Sequence, residues 1–305
     1  MPAKRYHFEE VSTCEMCGDN TADHKVMGIR LNGSQGMRPK KKSGIAVSIK
    51  RCNSCGLIYS SPMPVPFDIQ DHYGVPAEDY WKPSYFKWDE TYFAHQIARL
   101  KNLVGFEPGM KALDIGAGIG KGMISLERAG FDVYGFEPSK SFYDKAISEM
   151  HISPERLKLG MIEEMEYEAA SFDFINFGAV FEHLYHPAAC LDKALHWLKP
   201  GGIIHIEVPS SKHLVARLIN TYYRLIGTNY VTSLSPMHDP YHLYEFDLRS
   251  FEALGKRLDF NIVHHEYYVC EIYFFPKILH RPLTTLMQKT NTGMQLTVWL
   301  RKEKN

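Results

Sequence analysis

Two periodicities alternate along the second half of the chain. Lys111 to Ile115 and Asp132 to Phe136 are short, mostly apolar runs, the pattern of buried strands. Between them KGMISLERA (121–129) repeats its apolar positions every three to four residues and stops at Gly130, which predicts a helix. Ser139 is placed to cap a further helix. Upstream, Lys25 to Leu31 and Ile45 to Lys50 predict a hairpin, and residues 89–104 a helix. Downstream, residues 211–226 set Leu214, Leu218, Ile219, Tyr222 and Leu225 at helical spacing with Lys212, Arg217 and Arg224 around the turn, an amphipathic helix.

Composition narrows the class. The 305 residues balance 35 Lys and Arg against 35 Asp and Glu, which argues against a histone-like or purely electrostatic binder. At 45% hydrophobic and 23% charged the chain is ordinary globular protein, long enough for two domains. No apolar run approaches the roughly 18 to 20 residues of a membrane span, and the first residues lack an apolar signal region, so the expectation is a cytoplasmic protein. The charge is uneven, however. Residues 38–51 carry Arg38, Lys40, Lys41, Lys42, Lys50 and Arg51 and no acid, a run that suits a solvated loop or contacts to the phosphates of a nucleotide-linked substrate or RNA.

Four of the six cysteines form two Cys-x-x-Cys pairs, Cys14 with Cys17 and Cys52 with Cys55, each followed by glycine (Gly18, Gly56). Glycine there permits the tight turn that lets thiolates and amides converge on one tetrahedral metal. Two disulfides suit a cytosolic chain poorly, and a redox Cys-x-x-Cys needs only one pair. The pattern therefore predicts a closed four-cysteine zinc site that stabilises a small lobe and leaves no position for catalysis. After it, residues 61–66 (SPMPVP) predict a stiff link, and Tyr73, Tyr80, Trp81, Tyr85, Phe86, Trp88, Tyr92 and Phe93 an aromatic connector.

The strand at 111–115 ends in Asp114 and Ile115 and runs into Gly116, Gly118 and Gly120, while the next strand ends at Glu137. In a doubly wound sheet these strand ends lie side by side, so backbone amides and a carboxylate face one crevice. A dinucleotide fingerprint wants G-x-G-x-x-G, whereas the third glycine position is here Lys121 and the loop reads G-x-G-x-G.

The segments LDIGAGIGKG (113–122), GFEPS (135–139), FDFINFGAVFEHLYHP (172–187) and LKPGG (198–202) together resemble the class I S-adenosylmethionine-dependent methyltransferases, and CNSCGLIYSSPMP (52–64) resembles the zinc-ribbon appendage of a branch acting on small molecules and sugars. The resemblance implies an α/β, Rossmann-like seven-stranded sheet with an antiparallel last strand, Phe260 to Val269 and Gln295 to Arg301 being its last two strands. It divides the chain into a zinc-ribbon-like domain (1–66), a connector and helix (67–108) and a methyltransferase domain (109–305) with a lid insertion at about 211–245. It places Asp114, Gly116, Gly118 and Gly120 around the methionine moiety of the cofactor, Glu137 with Pro138 at the ribose, and Ile162 with Glu163 at the adenine. Met161 stands where many relatives carry an acid. Phe177 and Gly178 pass the sulfonium with backbone atoms.

A hydroxyl, carbon acid or protonated amine acceptor needs a base. His183 in the Glu182–His183 pair and His242 in the loop at 240–244 are the candidates, with His238, Tyr241 and Glu207 behind them. The acceptor expected is a sugar, nucleotide-linked sugar or secondary metabolite. Two alternatives stand beside it: an RNA methyltransferase reading RNA with the zinc lobe, and an inactive cofactor-binding partner protein. The basic flank of the 211–226 helix also permits contact with a membrane surface, and a homodimer is a further option.

Overall fold

The computed structural model describes residues 6–32, 45–68, 70, 87, 89–238, 240–272 and 275–303. Most of the basic run (Arg38, Lys40, Lys41, Lys42) and of the aromatic connector (Tyr73, Tyr80, Trp81, Tyr85, Phe86, Trp88) lies outside them.

The N-terminal part contains β1 (Tyr6–Glu9), β2 (Lys25–Leu31), β3 (Ala46–Arg51), β4 (Ile58–Ser60) and β5 (Met63–Pro66). The expected hairpin is β2 paired with β3, and β4 extends it. The segment read as a stiff link is instead the strand β5, paired antiparallel with β1 from Tyr6 opposite Pro66 to Glu9 opposite Met63. Prolines at alternate positions fit there because a two-stranded ribbon leaves every strand an edge, where a missing N–H goes unnoticed.

After α1 (Ala94–Val104) come β6 (Lys111–Ile115), α2 (Lys121–Arg128), β7 (Asp132–Glu137), α3 (Lys140–Ser148), β8 (Leu157–Leu159), β9 (Phe172–Gly178), α4 (Pro187–Trp197) and β10 (Leu198–Pro209). Then follow α5 (Leu214–Leu225), β11 (Tyr244–Glu245), α6 (Leu248–Leu258), β12 (Phe260–Tyr268), α7 (His280–Lys289) and β13 (Gln295–Lys302). One seven-stranded sheet runs β12-β13-β10-β9-β6-β7-β8. Its strands are parallel except β13, which is antiparallel to both neighbours. Residues alternate strictly between its two faces: Leu113, Ile175 and Ile204 pack on one side, Ala112, Phe174 and Ile203 on the other.

The insertion after β10 does not stand alone over the sheet. Its strand β11 pairs with β4, Tyr244 opposite Tyr59 and Glu245 opposite Ile58, so the N-terminal sheet is four-stranded in the order β11-β4-β3-β2. Val231, Leu234 and Met237 pack against Val47, Ile49 and Ile58 of the same sheet. A continuous apolar cluster then joins Cys14, Cys52, Leu57 and Tyr59 to Phe181, Phe246 and Phe251.

Candidate active site and metal centre

The glycine turn after β6 is left-handed at three points, with φ of 64° at Gly116, 56° at Gly118 and 81° at Gly120. A side chain at Gly116 would also place its Cβ 2.5 Å from Val180 Cγ2, so both conformation and space demand glycine. The turn delivers the Gly118 amide to Glu137 Oε2 at 2.8 Å, and the Ser139 amide donates to Glu137 Oε1 at 2.8 Å. Glu137 ends β7, and Ser139 caps α3 by accepting from the Phe142 amide. Both carboxylate oxygens are thus aimed by backbone, each with lone pairs remaining for ligand hydroxyls. Burial pushes the Glu137 carboxyl up to about 7 against the lowering effect of those two amides.

Asp114 lies beneath this turn. Its Oδ1 accepts from Asn176 Nδ2 at 2.7 Å, and Asn176 Oδ1 accepts from His205 Nδ1 at 2.6 Å. Burial raises the Asp114 carboxyl to about 6 and lowers His205 to about 3, so His205 is a neutral imidazole. A Cβ on Gly122 would meet Asp114 Oδ2 at 2.6 Å, which shows how tightly the turn closes on the acid.

Gly116, Gly118 and Glu137 open on a cavity of about 640 Å³, within the size range of ligand pockets. Pro138, Ile162, Glu163 and Gly178 line the same cavity. Glu182, His183, Glu207, Tyr241 and His242 line it as well. A single turn of 3-10 helix, Phe181–His183, follows β9 and sets Glu182 and His183 there. His183 Nδ1 donates to the Tyr241 carbonyl at 3.2 Å, leaving Nε2 as its lone-pair nitrogen. Glu182 Oε1 lies 4.0 Å from His183 Nε2 and 3.8 Å from His242 Nε2, too far for hydrogen bonds. Glu182 Oε2 is buried with no hydrogen-bond partner among the described residues. Burial, with the neighbouring Glu207 adding, raises the Glu182 carboxyl to about 8. Burial lowers His183 to about 4 and holds His242 well below the ordinary histidine value, where the nearby His183 adds to the effect. Near neutral pH the three are one carboxylic acid and two unprotonated imidazoles, a set able to accept a proton or to hold a cation through atoms within 4.8 Å of one another.

The four N-terminal cysteines also converge. Cys14 Sγ is 3.7 Å from Cys55 Sγ and Cys17 Sγ 3.5 Å from Cys52 Sγ, and all four sulfurs lie within 4.8 Å of one another. A tetrahedron with Zn–S bonds of about 2.3 Å has edges of about 3.8 Å, so the sulfurs already sit at ligand spacing. The Gly18 and Gly56 amides donate to the Cys14 and Cys52 carbonyls at 2.9 and 3.1 Å, closing the two knuckles, with φ of 81° and 79° at the glycines. Ser250 Oγ donates to the Cys55 carbonyl at 3.1 Å, and Arg257 donates to the carbonyls of Glu15 and Met16, so α6 grips the cluster from below.

Other expected residues fall elsewhere. Gly120 is the N-cap of α2, facing Ile152, and Phe177 is wholly buried among Phe181 and its neighbours; neither side of the cavity uses them. His238 faces Arg30 at 3.3 Å, and His186 is exposed beside Glu15. Arg51 pairs with Asp247 at 3.8 Å, so one cation of the basic run serves the fold. Sequence reasoning missed Asn176 and His205, and Met294 and Gln295 on the cavity wall, whereas Tyr92, named in the aromatic connector, lines the cavity too. A polar pair inside otherwise apolar strands was the available signal for Asn176 and His205.

Comparison with known proteins adds the lineage. A family model described as a methyltransferase domain matches residues 85–265. The ubiquinone biosynthesis O-methyltransferase of Acinetobacter baumannii is 27% identical over 164 residues, 49% of this chain, and the chain spans only 65% of that relative's length. A chain of the solved complex between the Haloferax volcanii Trm112 methyltransferase activator and a methyltransferase superposes with a TM-score of 0.52 at 17% identity, covering 78% of this chain and 99% of that one. A methyltransferase structure from Archaeoglobus fulgidus gives 0.47 at 18% identity, covering 70% and 97%.

Proposed function

The chain belongs to the methyltransferase-domain family of class I S-adenosylmethionine-dependent enzymes, and we propose that it transfers a methyl group from that cofactor to a small-molecule acceptor. One observation carries the reading: the Gly118–Glu137 pair and the Glu182–His183–His242 trio line the same cavity. The cofactor supplies its own activation, because its positive sulfur makes the methyl carbon electrophilic and departs as a neutral thioether.

The protein's contribution is binding, orientation and a proton acceptor. Glu137 takes hydrogen bonds from the ribose hydroxyls, Gly116 and Gly118 admit the methionine portion, and Ile162 and Glu163 flank the base. Asp114, held by Asn176, stiffens the turn from below. His242 accepts the acceptor's proton, and the buried Glu182 stabilises the imidazolium once its carboxyl is ionised. His183, tied to the Tyr241 carbonyl, keeps the 240–244 loop against the cavity. The acceptor is a hydroxyl, amine or carbon acid on a sugar, nucleotide-linked sugar or secondary metabolite. Cys14, Cys17, Cys52 and Cys55 hold a structural zinc ion, and residues 109–305 with the N-terminal lobe docked on them form the working unit.

Isothermal titration with S-adenosylmethionine, followed by an acceptor panel scored by S-adenosylhomocysteine release, tests this reading. Binding with turnover of a small molecule supports it. Binding with no product over a broad panel favours an inactive partner protein, and turnover only with RNA favours the RNA reading.

A further inference from the structure

Helices α5 and α7 pack on one apolar cluster, Val215, Ile219 and Tyr223 from the first against Met287 from the second, with Ile272 between. The Leu214 amide at the start of α5 bonds the Thr292 carbonyl just past α7 at 3.1 Å. With their inner faces satisfied in this way, the outer sides of both helices should be polar. They are not. Leu218, Leu225 and Leu286 are exposed on the helices and Ile226, Ile278 and Leu279 just beyond their ends, six of the twelve exposed large hydrophobic side chains among the described residues, with Leu225 82% and Ile278 84% exposed.

The charge on these two segments has one sign. Residues 211–238 and 275–294 contain no Asp or Glu, in a chain whose acids and bases balance at 35 each. Arg217, Arg224, Lys277, Arg281 and Lys289 are exposed around the aliphatic side chains. Exposed aliphatics on segments whose only charged side chains are cations match an anionic bilayer surface, where the cations meet lipid phosphates and the aliphatics enter the acyl boundary. A symmetric contact between two copies would set the same five cations against one another, and nucleic acid would engage the cations but leave the aliphatics in water. The buried cluster beneath the patch reaches the cavity: Met294, which packs on the cluster beneath α5 and α7, also lines the cavity wall with Cys270 and Gln295.

We propose that the α5–α7 face docks on an anionic lipid membrane and that, given the methyl-transfer reading, the acceptor is an amphiphile whose polar end enters the cavity past Met294 while its apolar part stays in the bilayer. Vesicle flotation of the full chain tests this, with phosphatidylcholine vesicles against vesicles containing about one third phosphatidylglycerol, at about 0.1 M salt and at high salt. The expected result is at least roughly tenfold preference for the anionic vesicles, weakened by salt. Leu225→Glu with Ile278→Glu, and separately Arg217→Glu with Arg224→Glu, should each lower flotation on the order of tenfold, with thermal stability and S-adenosylmethionine affinity unchanged.

Failure to float on either vesicle overturns the proposal, as does flotation that ignores both double variants. So does tight RNA binding lost in the arginine variant, or a dimer dispersed by the Leu225 and Ile278 changes. Flotation without any affinity for S-adenosylmethionine would instead overturn the methyl-transfer reading and leave the membrane surface standing.

Discussion

Gly118 gives its backbone N–H to Glu137 Oε2 at 2.8 Å, so the glycine turn and the acid beside it are bonded to each other before any ligand is considered. The acid's position is thus set by backbone, and its ordering cost on binding is small. Glu137→Ala should weaken S-adenosylmethionine binding by about 1 to 3 kcal/mol, through loss of the ribose hydrogen bonds and release of the Gly118 and Ser139 amides. Isothermal titration checks this, and unchanged affinity would remove Glu137 from the ribose.

Glu182 should leave a signature in stability against pH. Its carboxyl titrates near 8 in the folded chain, raised by burial, against the ordinary 4.5. Between these values the folded chain keeps a proton that the unfolded chain has released, so this group's contribution to stability falls as pH rises through that window. Glu182→Gln should flatten that part of the melting-temperature curve and melt above the parent at pH 8 and beyond. Parallel curves for the two proteins would show that Glu182 ionises normally.

The same ionisation should govern proton transfer. Once a substrate is in hand, kcat/KM should rise with pH toward about 8, as Glu182 becomes the anion that supports a protonated His242. His242→Ala should lower kcat far more than it raises the KM for S-adenosylmethionine, and Glu182→Gln should erase the rise with pH. Full kcat in the His242 variant would assign the proton elsewhere.

Asn176 links two buried groups, donating to Asp114 Oδ1 and accepting from His205 Nδ1. Asn176→Leu leaves the Asp114 carboxyl and the His205 ring without these partners and should cost about 1 to 3 kcal/mol or more in urea unfolding. Cofactor affinity should fall with it, because Asp114 backs the glycine turn.

Metal and fold should be lost together at the N-terminus. Cys52→Ser should reduce zinc content and melting temperature in the same variant, since four convergent thiols without a cation leave the knuckles unsupported. Hydrogen exchange should also quicken around Tyr244 and Phe246, which share the cluster's apolar surroundings. A fully stable, metal-free variant would refute the structural-zinc assignment.

Much of this site was legible in the sequence because its chemistry is local. The glycine turn, the acid at the end of β7 and the Cys-x-x-Cys pairs each declare themselves within a few residues, and the strands around them follow from apolar periodicity. What escaped notice depends on contacts between distant segments. Asn176 and His205 are single polar residues in apolar strands, and only the register of β9 against β10, which sets Asn176 opposite His205, brings them together. Two-residue β11 has no period to detect, and SPMPVP reads as an isolated link until β1 is laid beside it. The sequence around Glu182 says nothing of a buried oxygen without a hydrogen-bond partner among the described residues.

The pairing of β11 with β4 makes the N-terminal lobe unfinished business during synthesis. Its fourth strand leaves the ribosome only after nearly all of the seven-stranded sheet's parallel strands, so until then β4 waits with an open edge. Evolution or an engineer cannot lift the first 66 residues onto another scaffold as a cassette. The graft would have to carry the stretch that ends in Tyr244 and Glu245, and with it the loop bearing His242.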